Sequence, residues 1–524
     1  MMRRGSVILA AVLSLSFLLR LAIAFQPIDT LATKTLQDDS YYGFGIAKSI
    51  AAGGGMTYDG FDETNGFQPL WTLMISPAFM LLSGADPPIT AVLLIAAAVD
   101  TLAVAALYLL GRDAFGKRAG LAGSALYGLN PFIAMQTMSG IEVPLAVLTV
   151  VLCFQLYHRT REDLSKGRAA MLGVFIGSAM LTRMDSVFVL AAIAAAELWR
   201  GRRNVPSTLR TLAIVGAVAA TVVAPWLLRN ILVFGSISQS SATANYYIYH
   251  GVTVPLAGYY GTEDIFSIIA NNAYRAAGSI ANQFGFIINS PLSAIPVMMI
   301  FAGLLAWAGS RKMPTVPVYA AAVFAFYILF MWVVQIRYFT ATVALFSVLA
   351  AAGLHEFRPR LLLPAVAVIL VFMAASGWVQ WQAGYYNWAS ETMKETAWIG
   401  NNTQPDDVIA AFNSGMISYY SGRHTVNLDG VVNSEVLPWI SNHSVAAYML
   451  EKNVTYWVDT DPFNRAVAQK ITDGEPYDII TDNKWSEALG DSTGKFRLLE
   501  QHHLMYRQLS GATEPVVFFR VKVA

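Results

Sequence analysis

Residues 89–110 read ITAVLLIAAAVDTLAVAALYLL, an apolar run with one acid, Asp100, near its middle. A helix needs about 20 apolar residues to cross the hydrocarbon of a bilayer, and this run is long enough. Comparable segments lie at 7–25, 119–137, 143–157, 169–182, 186–199, 211–229, 284–308, 315–334, 338–354 and 361–381. The chain has 524 residues, 55% of them hydrophobic and only 13% charged. A soluble domain carries roughly a quarter charged residues, so this composition excludes a soluble enzyme and a disordered chain. Apolar runs that do not alternate also exclude a porin-type barrel. With a net charge of +1 no nucleic-acid partner is expected. Cys153 is the single cysteine and sits in an apolar run, leaving no disulfide framework and no cysteine zinc site.

The expected fold class is a polytopic α-helical membrane protein with about 11 transmembrane helices over residues 1–384. The segment 70–82 is too short to span and carries Pro77, so it is expected to lie at the interface. The basic clusters support this topology. Arg3/Arg4, Arg112/Lys117/Arg118, Arg159/Arg161/Lys166/Arg168, Arg200/Arg202/Arg203, Arg311/Lys312 and Arg358/Arg360 fall in alternate loops. All become cytoplasmic, together with the N-terminus, if 70–82 is not counted. The opposite side then receives the loops 26–88 and 230–283, the turns at Gly140–Pro144, Arg183–Asp185 and Arg337, and everything after Tyr385. Ala22-Ile23-Ala24 resembles a leader cleavage site, but Arg20 just before it is out of place in a leader. The first span is therefore expected to stay attached.

From about Tyr385 charges become frequent. Val408–Ala411, Val454–Val458 and Pro515–Val521 read as strands, and 441–452 and 463–471 as helices. Residues 385–524 are expected to form an extracytoplasmic α/β domain.

Asp38 and Asp39 follow the first span and open an amphipathic pattern with Tyr42, Ile46 and Ile50 on one face. One aspartate could simply cap that helix. Two carboxylates beside a bilayer need more explanation, because unpaired charge is costly there. Glu142 stands at a tight turn on the same side, where it could be an ordinary turn residue. Gathered together, such groups can serve as a general base or as oxygen ligands for a divalent cation (Mg, Mn or Ca), with Asp39 and Glu142 as the candidate ligands. No cofactor is fixed by the sequence. Cations are few on that side. Arg337 sits at a turn between two apolar spans, either snorkelling to the surface or holding an anion such as lipid phosphate. Arg229 is similar, and the Tyr-rich loop 230–283, with Tyr246 and His250, suits either a membrane interface or sugar stacking.

Asp38-Asp39-Ser40-Tyr41-Tyr42 resembles the acidic motif in the first external loop of the GT-C glycosyltransferases. Thr64-Asn65-Gly66-Phe67-Gln68-Pro69-Leu70-Trp71 looks like its continuation in a branch with arabinofuranosyltransferase-like and protein-mannosyltransferase-like members. Thr137-Met138-Ser139-Gly140-Ile141-Glu142 is similar to the second acidic turn. The resemblance covers the first 240 residues and Arg337-Tyr338. It implies an inverting glycosyltransferase in a bacterial or archaeal plasma membrane. Such an enzyme moves a sugar from a polyprenyl-phosphate carrier to a glycan, lipid or protein acceptor on the external face. On that basis Asp38 is the expected base, with Asp39 and Glu142 beside it, and Arg337, Tyr338 and Arg229 hold the donor phosphate. Tyr42, Asn65, Gln68, Trp71, Tyr246 and His250 are the candidate substrate contacts. Transfer of a lipid-linked oligosaccharide, and a non-catalytic transporter or assembly protein, remain the alternatives.

Overall fold

The structure is a computed structural model that describes residues 2–249, 265–285, 310–330, 334–386, 388–442, 444–459, 496–509 and 512–523. His250, the expected helix at 463–471 and most of the expected span 284–308 lie outside the described residues.

The chain is a polytopic helical membrane protein. Among the described residues, Gly5–Ala24, Asp86–Phe115, Val143–Thr160, Val205–Phe234, Ile336–Phe357 and Leu362–Ala383 are long and apolar enough to span. Two further helices, Lys166–Thr182 and Val187–Arg200, are short, with 17 and 14 residues, because both must fit between 166 and 200. Pro69–Leu81 is a 13-residue helix with Pro77 inside it, at the place expected for a non-spanning segment. The run 119–137 departs from expectation. It is two helices, Lys117–Gly128 and Pro131–Thr137, broken where the Asn130 side chain accepts the amide protons of Phe132 and Ile133 ahead of Pro131. An Asn cap followed by proline starts a new helix instead of continuing the old one.

Arg20 finds its reason inside the bundle. It is fully buried and ion-paired with Asp100, and it also donates to Ser16 Oγ (2.8 Å) and to the carbonyl of Gly128 (2.8 Å). Asp100 in turn accepts from Tyr127 (2.6 Å) and Thr137 (3.2 Å). The one mid-span acid and the residue unfit for a leader thus neutralise each other, and their remaining polar atoms are largely satisfied, as burial of charge requires.

Beyond Ala389–Asn402 the chain forms a five-stranded sheet of order β2-β1-β3-β5-β4. The strands are β1 (Val408–Ala411), β2 (His424–Asn427), β3 (Tyr456–Asp459), β4 (Phe496–Leu509) and β5 (Ala512–Val523). β1 runs parallel to β2 and β3, whereas β5 is antiparallel to β3 and β4. The expected helix 441–452 is found as the shorter Val445–Glu451, and a separate short helix, Leu437–Ser441, precedes it. The parallel part of the sheet matters most for function, because the carboxyl ends of β1 and β2 point at the membrane module.

Candidate active site

The first loop packs on that strand edge. The helix Asp38–Ala51 begins at Asp38, whose carboxylate accepts the amide protons of Gly415 (3.0 Å) and Met416 (2.9 Å) just beyond β1. Gly415 has to be glycine, since a Cβ there would come within 2.4 Å of the Asp38 carbonyl oxygen. The Tyr42 hydroxyl, one helical turn on, accepts from the Ser414 amide (3.0 Å) and from Asn427 Nδ2 (3.1 Å). Burial pushes the Asp38 carboxyl up to about 6, with Asp39 adding to the rise and the two amide protons opposing it.

Between this joint and the bundle lies a cavity of about 570 Å³. Asp39, Glu142, Asp185 and Asp429 bring carboxylates to its wall, and Arg183 and Arg337 bring guanidinium groups. Arg337 Nη2 donates to Asp39 (2.6 Å), and Nη1 to Gln37. Arg183 donates to Glu142 (2.7 Å), Asp185 (3.0 Å) and the Tyr327 hydroxyl (2.9 Å). One ring joins the two arginines. Tyr338 stacks on Tyr327 at 4.3 Å, and the guanidinium carbons of Arg183 and Arg337 lie 5.1 and 5.6 Å from its centroid. Two cations are thereby held within reach of one point, each with donors that can exchange a carboxylate for a phosphate.

Asp429 enters from the C-terminal domain, two residues past β2. It accepts from the Val431 amide (2.8 Å) and, among the described residues, has no cation partner. Burial pushes its carboxyl up to about 7. The Val431 amide and Asn427 oppose the rise, and the negative charges of Asp39 and Asp38 add to it. Phe412 and Asn413, just beyond β1, line the same wall. Ligands commonly sit outside the carboxyl ends of parallel strands, and here that edge closes the cavity.

The expected residues divide accordingly. Asp39, Glu142, Arg337, Tyr338, Tyr42, Gln68 and Trp71 line one cavity, with the Trp71 indole anchored on the Gly140 carbonyl (3.1 Å). Three others do not. Asp38 is spent on the joint with the C-terminal domain. Asn65 accepts from the Ser240 amide (2.8 Å) and donates to the Ser238 carbonyl (3.2 Å), which fixes the start of the Ser240–Tyr249 helix. Arg229 pairs with Glu63, donates to the Thr64 carbonyl (3.0 Å) and lies over Trp226. Tyr246 belongs to that same helix, and His250 lies outside the described residues. Arg183, Asp185, Tyr327 and Asp429 were not among the expected site residues. One signal pointed to the first two, an Arg-Met-Asp turn between two short apolar helices; Asp429 follows β2, a strand not expected from the sequence. Asp39 and Glu142, the expected metal ligands, each face an arginine. Among the described residues, neither belongs to a cluster of three close enough to share an ion.

The same fold is found in solved structures of other proteins. ArnT from Cupriavidus metallidurans, bound to undecaprenyl phosphate, superposes with a TM-score of 0.58 at 12% identity, over 99% of this chain and 98% of that one. The Archaeoglobus fulgidus oligosaccharyltransferase, complexed with Zn and sulfate, gives 0.56 at 15% identity, over 96% and 72%. The same organism's AglB, with an inhibitory peptide and a dolichol-phosphate, gives 0.54 at 14%, over 97% and 74%. In sequence, residues 68–228 match the family described as dolichyl-phosphate-mannose-protein mannosyltransferase, and 372–508 match a domain of unknown function. No curated protein matches.

Proposed function

We propose that this chain is an inverting glycosyltransferase that moves a sugar from a polyprenyl-phosphate carrier to a hydroxyl acceptor on the external face of the membrane. The observation that carries the reading is the pair of arginines, Arg183 and Arg337, converging on Tyr338 in a cavity lined with carboxylates. The donor phosphate accepts the guanidinium hydrogen bonds that Asp39 and Glu142 now accept. That exchange releases Asp39 from Arg337, so the base becomes available when the donor arrives. The acceptor oxygen then bonds to the anomeric carbon as the bond from that carbon to the phosphate oxygen breaks. The acceptor proton passes to Asp39, and the negative charge growing on the leaving phosphate is met by both arginines. Asp39 thus takes the role that the resemblance implied for Asp38. Asp429, Asn413 and Phe412 form the acceptor end, and confinement of both partners supplies the entropic part of the rate. A cavity of about 570 Å³ falls in the range of small-molecule sites and favours a single sugar over a lipid-linked oligosaccharide.

The test is turnover of synthetic polyprenyl phosphates carrying different pentoses and hexoses by the full chain in nanodiscs, with released polyprenyl phosphate read by mass spectrometry. Release from one member of the panel, lost in Arg183→Ala and Arg337→Ala, supports the reading. If the folded protein neither releases nor binds polyprenyl phosphate, it fails.

A further inference from the structure

A second cluster of chemistry-bearing side chains lies away from the cavity, where the first long loop meets the outer edge of the sheet. Asp59 and Asp62 come from the loop, and His424 is the first residue of β2. His424 Nε2 is 3.3 Å from Asp59 Oδ2 and 3.7 Å from Asp62 Oδ2, and all three atoms lie within 4.8 Å of one another. All three atoms are buried and none completes a hydrogen bond: His424 Nε2 is within distance of Asp59 Oδ2 only, and two carboxylate oxygens cannot bond each other. The Asp59 side chain is 0% exposed. Its other oxygen already accepts the amide protons of Phe61 (2.9 Å) and Asp62 (3.0 Å), which aims Oδ2 at the histidine. Phe61 lies over the imidazole at 4.4 Å and fixes the ring plane.

Buried polar atoms without hydrogen bonds are costly, and three that converge are met either by an imidazolium paired with both carboxylates or by one shared ion. We propose that Asp59, Asp62 and His424 bind a divalent transition-metal ion of the zinc type that clamps the first loop to the C-terminal sheet. Bonds of about 2.0–2.1 Å to a tetrahedral ion place neighbouring ligand atoms about 3.3 Å apart, which the histidine contacts already approach. An imidazole nitrogen beside two carboxylates suits zinc better than the all-oxygen preference of calcium or magnesium. Two carboxylates and a neutral imidazole cancel the ion's charge. Lys452, 3.6 Å from the other oxygen of Asp62, orients that ligand from outside. The side chain of His424 is 22% exposed, so water can complete the coordination. The clamp lies beside the bond from the Asn427 amide to the Tyr58 hydroxyl (3.1 Å), and it would fix the loop that carries Asp38 and Asp39 against β2. The proposal does not depend on the transfer reaction.

The experiment uses the full chain in detergent, stripped with chelator, reloaded with zinc chloride and desalted, with metal content measured by mass spectrometry. Wild type is expected to retain one equivalent, Asp59→Asn and His424→Ala to lose it, and Asp39→Asn to keep it. His424→Cys separates a metal from a plain ion pair, because a thiolate binds zinc but cannot replace an imidazolium facing two carboxylates. It is expected to retain zinc and, loaded with cobalt instead, to show a thiolate charge-transfer band. Hydrogen exchange of residues 53–63 should slow on zinc loading in wild type only. The proposal is overturned if folded wild type retains no zinc, if Asp59→Asn and His424→Ala retain as much as wild type, or if His424→Cys retains none.

Discussion

Replacing Asp38 by asparagine separates the two neighbouring aspartates by role. In place, the Asp38 carboxyl is pushed from 3.8 to about 6. At about 1.4 kcal/mol per pKa unit, its ionised form costs about 3 kcal/mol more in the docked protein than in water. The sign follows from proton binding. The docked state holds the proton more tightly, so docking of the C-terminal domain is strongest below about pH 4. It weakens between pH 4 and 6, and above 6 has lost the full ~3 kcal/mol. Asparagine removes that cost but turns its amino group toward either the Gly415 or the Met416 amide, leaving one buried N–H unmatched at about 1–3 kcal/mol. Near pH 7 the two effects roughly offset. Near pH 4.5 most of the loss remains, so the gap between variant and wild type should change by about 2 kcal/mol over that range. Hydrogen exchange of residues 408–427, corrected for intrinsic rates at each pH, reads this directly. Glycosyl transfer by Asp38→Asn should stay within a few-fold of wild type, whereas Asp39→Asn should lose at least ~100-fold with unchanged protection. The reverse pattern, with transfer lost on changing Asp38 and kept on changing Asp39, would refute the division of labour.

Arg337→Lys keeps the charge but loses the planar fork and its place against Tyr338; donor affinity, read by native mass spectrometry with undecaprenyl phosphate, should fall about 10-fold or more. Gly66→Ala would set a Cβ 1.9 Å from the Val431 carbonyl oxygen. The loop can no longer close on the β2 edge, and the melting temperature in detergent should drop measurably while the isolated membrane helices keep their circular dichroism. Transfer by wild type should fall below about pH 7 as Asp429 takes up a proton, and Asp429→Asn, fixed in the uncharged form, should show that lowered rate across the whole range, as a pH–rate profile checks. Arg20→Leu leaves Asp100 buried without its cation and should cost about 3–5 kcal/mol, seen as lost folded protein. The double change Arg20→Met with Asp100→Leu should recover much of it.

Six of the expected spanning segments were legible because hydrophobic length is a local property, and the acidic loop was legible because its carboxylates stand out beside a bilayer. Which aspartate faces the cavity was not. Consecutive helix residues point about 100° apart, and the direction here is set by amides at 415 and 416 that no local pattern connects to 38. Arg229 misled for the same reason. Its counter-ion, Glu63, lies in a distant loop, and a cation paired elsewhere looks in sequence like one waiting for a ligand. Arg183 stood out as one of few cations on its side, but its value depends on Tyr338 and Tyr327, which come from later helices. Asp429 carried no local signal, because the strand it follows, His424–Asn427, is only four residues long and was not expected from the sequence. The break at Asn130 was readable locally, since Asn-Pro inside an apolar run favours a new helix start over a continuous span.

The fully buried Arg20–Asp100 pair also constrains biogenesis. The first helix leaves the ribosome 80 residues ahead of the carboxylate that will neutralise it. A lone arginine in a spanning segment opposes release into lipid, by about 2.5–3.5 kcal/mol at mid-span and by less near a helix end such as residue 20. The first helix is thus best retained at the insertion channel until Asp86–Phe115 emerges, and the two then partition together, which makes the order of synthesis part of the route to the membrane.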